Sequence, residues 1–280
     1  VLADTPPFAR NYFDSLRPAY GEALDEMISL LCRDLPALRT ELRSSNACRV
    51  RGRHELYEFP YLKRFPLLRL RDGRLHCWHP LVLARGIEEA VHLRLSERGG
   101  EYTEPFSKVF ERYVVQLSSG LGTAVITEDD YWAAMGADAK AVEAIIPFGD
   151  CNVLIEAKMA LFGDDVLVTD DPNAIHRKTK SLREGIRKAW SVGKAVRENH
   201  SLFPSCDSAA VDYLILVTSR ELYFANGARL KDLYPSDKFV YPDDAALGHL
   251  PLEHVFIVSI EDFENLAGAV KGGEVNLPEL

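Results

Sequence analysis

The chain lacks the signatures of several common enzyme classes. It has no GxSxG elbow, no GxxxxGK[ST] phosphate loop and no GxGxxG dinucleotide loop, so a serine-elbow hydrolase and the usual nucleotide cradles find no support. Its eight histidines show no HExxH spacing. His76 and His79 lie three apart with no matching Cys or His pair, and read as packing residues. Cysteine is scarce and scattered: Cys32, Cys48, Cys77, Cys151 and Cys206 form no CxxC, which argues against a zinc ribbon or a disulfide scaffold and leaves core thiols. No apolar stretch approaches the roughly 18 to 20 residues of a membrane span. No signal-peptide pattern precedes the charged, proline-containing N-terminus, so a cytoplasmic protein without membrane contact is expected. The chain opens at Val1, as a processed or trimmed chain does. There is no internal repeat and no low-complexity tract.

What remains is an ordinary globular composition with an uneven charge distribution. At 280 residues the chain can bury a full core, and its net charge of -9 disfavours, taken as a sum, a polyanionic partner. The sum conceals one basic segment. Between Ala174 and Glu198 eight basic residues (Arg177, Lys178, Lys180, Arg183, Arg187, Lys188, Lys194, Arg197) face two acids (Glu184, Glu198). Ile175, Thr179, Leu182, Ile186, Ala189, Gly193 and Val196 recur there at three- and four-residue steps, which predicts a helix with a small or apolar stripe and a basic ridge.

The segment VEAIIPFGDCNVLIEAK, residues 142–158, carries the most chemistry. Gly149-Asp150 suits a two-residue type II′ turn between two apolar runs. If the turn closes Phe148 onto Cys151, Ile146 pairs with Val153 and Ile145 with Leu154. Glu143 then falls opposite Glu156, and Lys158 follows on the same face. Two carboxylates about 4 Å apart repel by roughly 4 kcal/mol at an effective dielectric near 20. A cation or a proton must offset this: a shared proton, Lys158, or a divalent metal held by hard oxygen ligands. A second acid-x-Lys triplet, Asp138-Ala139-Lys140, lacks a preceding apolar run and reads as solvated surface.

At these residues the chain resembles the PD-(D/E)XK nuclease superfamily, over roughly residues 101–265. Glu143 matches the family's first acid, although that position is usually Asp, and Glu156-Ala157-Lys158 matches its second motif. Glu111 in VFERYV matches a helical Glu. The resemblance implies Mg²⁺ or Mn²⁺ held by Glu143, Glu156 and the Ala157 carbonyl, with Glu143, Glu156, Lys158 and Glu111 as catalytic residues. It also implies a phosphate-contacting helix, whose residues here are Lys178, Lys180, Arg187 and Lys188. Asp150 is the fallback first ligand, although the register leaves it in the turn. The implied activity is metal-dependent hydrolysis of nucleic acid, DNA favoured over RNA. The alternative is a non-catalytic subunit of the same fold that binds nucleic acid or a protein partner, for instance in a bacterial defence complex. A homodimer, or a protein partner on the acidic surface, is a further expectation.

The remaining elements set the expected fold. Phe106 to Leu121 reads as a helix with Phe106, Phe110, Tyr113, Leu117 and Leu121 on its packing face and Glu111 on its flank. VDYLILVTS (211–219) and EHVFIVSI (253–260) read as strands covered on both faces, with a tight turn at Asn226-Gly227 and a final helix capped by Ser259. Together they predict an α/β domain at 101–280, with a mixed four- to five-stranded sheet flanked by helices in the restriction-endonuclease-like manner. Residues 1–100 read as an N-terminal helical and β-hairpin region for target or partner recognition. Its features are helical 19–44 with Pro36 interrupting, a hairpin around Asp72-Gly73, and a helix ending near Gly99-Gly100. Arg49, Arg51, Arg53, Arg69, Arg71 and Arg74, with His54, Tyr57, Tyr61, His76 and Trp78, supply a candidate basic and aromatic nucleic-acid surface.

Overall fold

The computed structural model describes residues 12–44, 64–96, 98–159, 172–222, 224–234, 239, 241 and 250–279. Contacts divide the chain into two compact units, Val1–Tyr102 and Thr103–Leu280.

In the first unit, α1 (Tyr12–Leu31) leads into β1 (Cys32–Asp34) and α2 (Leu35–Ser44), followed by β2 (Leu67–Arg69), β3 (Leu75–Cys77) and α3 (Pro80–Ser96). Pro36 lies in the first turn of α2, where a missing N–H costs nothing, and Asp34 caps that turn by accepting the Ala37 N–H at 2.7 Å. The strands form a sheet of order β1-β2-β3, parallel then antiparallel. The hairpin turns at Gly73, whose φ of 84° suits glycine. Leu24, Ile28, Leu31, Leu67 and Leu83 form the core. Arg69, Arg71, Arg74, His76 and Trp78 are exposed, while Arg49, Arg51, Arg53, His54, Tyr57 and Tyr61 lie outside the described residues.

The second unit is a mixed five-stranded sheet flanked by helices, as the element pattern predicts. Its elements are α4 (Gly100–Ser118), β4 (Ile126–Thr127), α5 (Glu128–Met135), β5 (Ala144–Pro147), β6 (Cys151–Lys158), α6 (Pro172–Lys178), α7 (Lys180–Glu198), β7 (Val211–Thr218), α8 (Gly227–Asp232), β8 (Val255–Ser259) and α9 (Ile260–Lys271). The strand order is β4-β5-β6-β7-β8, with the first two pairings antiparallel and the last two parallel. The period of two sends Val153, Ile155 and Ala157 of β6 against Phe110 and Val114 of α4 and Phe263 of α9. Leu154 instead joins Leu182, Ile186, Ala189 and Val192 of α7 on the opposite face. Each fully buried Leu or Ile in these layers contributes about 1.5–3 kcal/mol.

Several local readings change. Cys32–Asp34 is a strand, β1, within the segment 19–44 that was expected to be helical. The basic segment is two helices broken at Thr179, although its predicted stripe is buried from Ile175 to Val196. Tyr113 is exposed and donates to Glu264 at 2.6 Å, and Val114 takes its place against the sheet. Asn226-Gly227, expected as a tight turn, starts a helix, in which the Asn226 side chain accepts the Arg229 N–H at 2.8 Å as an N-cap. β8 is the edge strand, so it alternates and leaves Phe256 42% exposed where burial on both faces was expected.

The central hairpin closes in the predicted register: Ile146 pairs with Val153 and Ile145 with Leu154, and the Phe148 N–H donates to the Cys151 carbonyl at 2.9 Å. The link is tighter than a plain type II′ turn, since the Asp150 N–H bonds the Phe148 carbonyl at 3.1 Å across Gly149, whose φ is 85°. Gly149→Ala should therefore cost about 1–2 kcal/mol in urea unfolding, because the replacement Cβ is strained at positive φ. An unchanged midpoint would remove the turn as the source of the register.

Candidate active site

The register carries two carboxylates to one place. Continuing the β5-β6 pairing one residue beyond Ala144-Ile155 sets Glu143 opposite Glu156. Both face α7 and both are buried, at 6% and 0% exposure. They sit by the C-terminal end of β6, where the sheet changes from antiparallel to parallel pairing, the end at which open α/β sheets bind ligands. α7 comes close because Gly185 faces the strand: a methyl group there would stand 3.1 Å from Leu216 Cδ1 and 3.3 Å from both Glu156 Cγ and Lys158 Cε.

Two lysines complete the cluster. Lys158 Nζ contacts Glu156 Oε1, and Lys188 Nζ, one turn beyond Gly185 on α7, reaches Glu156 Oε2 at 2.7 Å and Glu143 Oε1 at 4.0 Å. Lys158 and Lys188 between them balance the charge of this sealed carboxylate. Glu143 Oε2 accepts the Ala157 N–H at 3.0 Å.

Burial first, and then the charge and hydrogen bonding of Glu156, push the Glu143 carboxyl up to about 8, against the lowering influence of Lys188 and Lys158. At neutral pH the coupled pair therefore retains one proton. Without an added cation, the buried pair is thus offset by a proton and two ammonium groups together. For Lys158, burial opposes the charged form, but Glu156, Glu143 and Glu111 outweigh it and raise the ammonium's pKa.

Two more acids border the cluster. Glu111 is half-buried on α4, accepts the Ser107 hydroxyl at 2.8 Å, and lies close enough for its charge to support Lys158. Glu128 is the residue sequence reasoning missed. β4 pairs Thr127 with Ala144, so the next step sets Glu128 beside Glu143, giving a row of Glu128, Glu143 and Glu156 across three strands. Burial first, and then Glu143, raise the Glu128 carboxyl, while Lys188 lowers it. Its only trace in the sequence is the Thr127-Glu128-Asp129-Asp130 start of α5, which forms a capping box between Thr127 and Asp130.

Four carboxyl groups around two lysines form a donor set of hard oxygens with surplus negative charge. Among the described residues no three His, Cys, Asp or Glu side chains converge as a preformed metal cage. Mg²⁺ does not require one, since it commonly uses one or two carboxylates plus water and substrate phosphate. The buried carboxyl oxygens of Glu156 and Glu143 therefore fit a hard divalent ion once the proton and Lys188 yield.

The other predicted site residues are dispersed. Asp150, the fallback ligand, is exposed in the turn, six residues from Glu156 and about 20 Å along the strand, so it takes no part. Lys178, Lys180 and Arg187 are exposed on α6 and α7, and Lys180 pairs with Glu184 at 3.6 Å. Lys188 turns inward, away from that ridge. So do Arg183, which packs over Tyr234 at 5.2 Å, and Arg197, which pairs with buried Asp212. Asp138 and Lys140 of the decoy triplet are exposed. No protein-family model, no curated protein and no solved structure matches the chain.

A raised carboxyl pKa means that the native state keeps a proton the unfolded chain releases. The stabilisation is fully present below the ordinary glutamate value of about 4.3. It is lost as pH rises through the native value of about 8. In chelator, the melting temperature should fall between pH 5 and pH 8, and Glu143→Gln, which mimics the protonated form, should flatten that fall. A variant with the unchanged pH slope would place the proton elsewhere.

Proposed function

We propose that the chain is a metal-dependent phosphodiesterase of the PD-(D/E)XK kind, acting on nucleic acid, with DNA favoured over RNA. The observation that carries this reading is the buried Glu143–Glu156 opposition, with Lys158 on the same strand end and a basic helix beside it. A buried pair of carboxyl groups is costly to keep, and carboxyl groups so strongly perturbed cluster at functional sites.

Glu143 and Glu156, with the Ala157 carbonyl, would hold Mg²⁺ or Mn²⁺. Once bound, the ion supplies Lewis acidity toward a phosphate oxygen and acidifies water. Lys158 is held in the ammonium form by its carboxylate neighbours. Its part is accordingly to orient the attacking water and to stabilise charge growing on the phosphate oxygens, and not to remove a proton. Glu111, at the edge of the cluster, would position water. Lys178, Lys180 and Arg187 present positive charge to the flanking backbone, which gives affinity without sequence information. No helix among the described residues is long and apolar enough to cross a membrane.

The second reading, a non-catalytic subunit of the same fold, is favoured by the completeness of the ion-free cluster, in which Glu156 is wholly sealed and already faces two lysines. Incubation of DNA and RNA with Mg²⁺ or Mn²⁺ separates the two. The unaltered protein should cut at least one of them, and Glu156→Ala and Lys158→Ala should each slow cutting by about 10²–10⁴-fold. Intact substrate with the unaltered protein, or cutting that survives both changes, would leave the binding subunit as the better account.

A further inference from the structure

The position of Lys188 carries a consequence for how the site engages its partners. The residue lies on α7, next to Arg187 on the basic ridge, yet its side chain runs the other way and is 24% exposed. Its Nζ stands 2.7 Å from Glu156 Oε2 and 4.0 Å from Glu143 Oε1, between the two carboxyl groups. That bridging position is the one a divalent ion held by the same two groups needs. An ammonium and a metal ion cannot both occupy it, because like charges at contact distance repel strongly in a buried site. Lysine carries its charge on a four-carbon stem with several rotatable bonds, so it can leave without any movement of the helix. The basic ridge that exposes Arg187 begins at the adjoining residue.

We propose that Lys188 is a resident counter-ion which holds the cation's position in the ion-free protein, and that cation binding displaces its ammonium to the basic ridge, where it contacts substrate phosphate. This rests on the nuclease reading above. It adds that one side chain couples the two ligands: the cation makes the phosphate contact available, and by reciprocity bound nucleic acid raises cation affinity. Lys158 does not share the role, since it contacts Glu156 alone among the carboxylates of the pair and belongs to the strand.

Calorimetric titration of the full chain with Mn²⁺, and fluorescence anisotropy of a labelled 20-base-pair DNA with and without Ca²⁺, test the coupling. Lys188→Met should bind Mn²⁺ about tenfold more tightly than the unaltered protein, within the 5–150-fold range of such couplings, and should lose the Ca²⁺-dependent gain in DNA affinity. Equal or weaker Mn²⁺ binding by a folded Lys188→Met would overturn the proposal while leaving the nuclease reading in place. Absence of any Mn²⁺ binding by the unaltered protein would overturn both. A measurement on the unaltered chain avoids any folding defect of the variant. Acetylation of Lys188 by acetic anhydride, followed by peptide mass spectrometry, should accelerate several-fold when Mn²⁺ is added, and a rate insensitive to Mn²⁺ would contradict displacement.

Discussion

Two glutamates forced to face each other inside the protein are the constraint around which the second unit is arranged. Nothing in the chemistry of a β-hairpin requires Glu143 opposite Glu156. The register does, and Gly149 with the alternating apolar runs sets the register. A slip by one residue would send Ile145 and Leu154 off the α7 face along with the carboxyl groups. The hydrophobic layer and the charged site are therefore specified by the same pairing. The core holds the acids in place, and the acids determine what must surround them.

What surrounds them follows from that cost. Gly185 lets α7 approach to within contact of Glu156 and Lys158, and the approach brings the Lys188 ammonium, one turn later, to 2.7 Å from Glu156 and 4.0 Å from Glu143. A larger residue at 185 would hold the helix off and leave the pair to a proton and Lys158. α5, which starts directly after the two-residue β4, contributes Glu128 to the same row, and α4 brings Glu111 from the other side of the sheet. The site is thus the junction of an antiparallel hairpin, the first parallel strand pair and two helices, with the lysines balancing the buried acids Glu143 and Glu156.

Much of this was legible in the sequence, and the exceptions share a cause. The hairpin register could be read because a side-chain period of two and a glycine at the turn leave little freedom, and the α7 stripe because seven small or apolar residues repeat at helical spacing. The direction of Lys188 could not be read, since a long side chain on the flank of a stripe reaches either way and only the close approach at Gly185 decides. Glu128 was hidden because a two-residue strand has no pattern of its own, and its partner is set by the sheet. Tyr113 and Val114 exchange places because a helical wheel does not show that the Tyr113 hydroxyl finds an exposed partner in Glu264, 151 residues away in sequence. Phe256 shows the converse: an apolar run cannot reveal that its strand is at an edge.

The central claim is that the Glu143–Glu156 opposition exists to hold a divalent cation. The most direct measurement is anomalous diffraction from crystals of the full chain equilibrated with Mn²⁺. The account predicts one strong peak within coordination distance of carboxyl oxygens from both Glu143 and Glu156. Crystals that bind Mn²⁺ elsewhere, or that retain an ion-free pair bridged by Lys188 at saturating Mn²⁺, would contradict it.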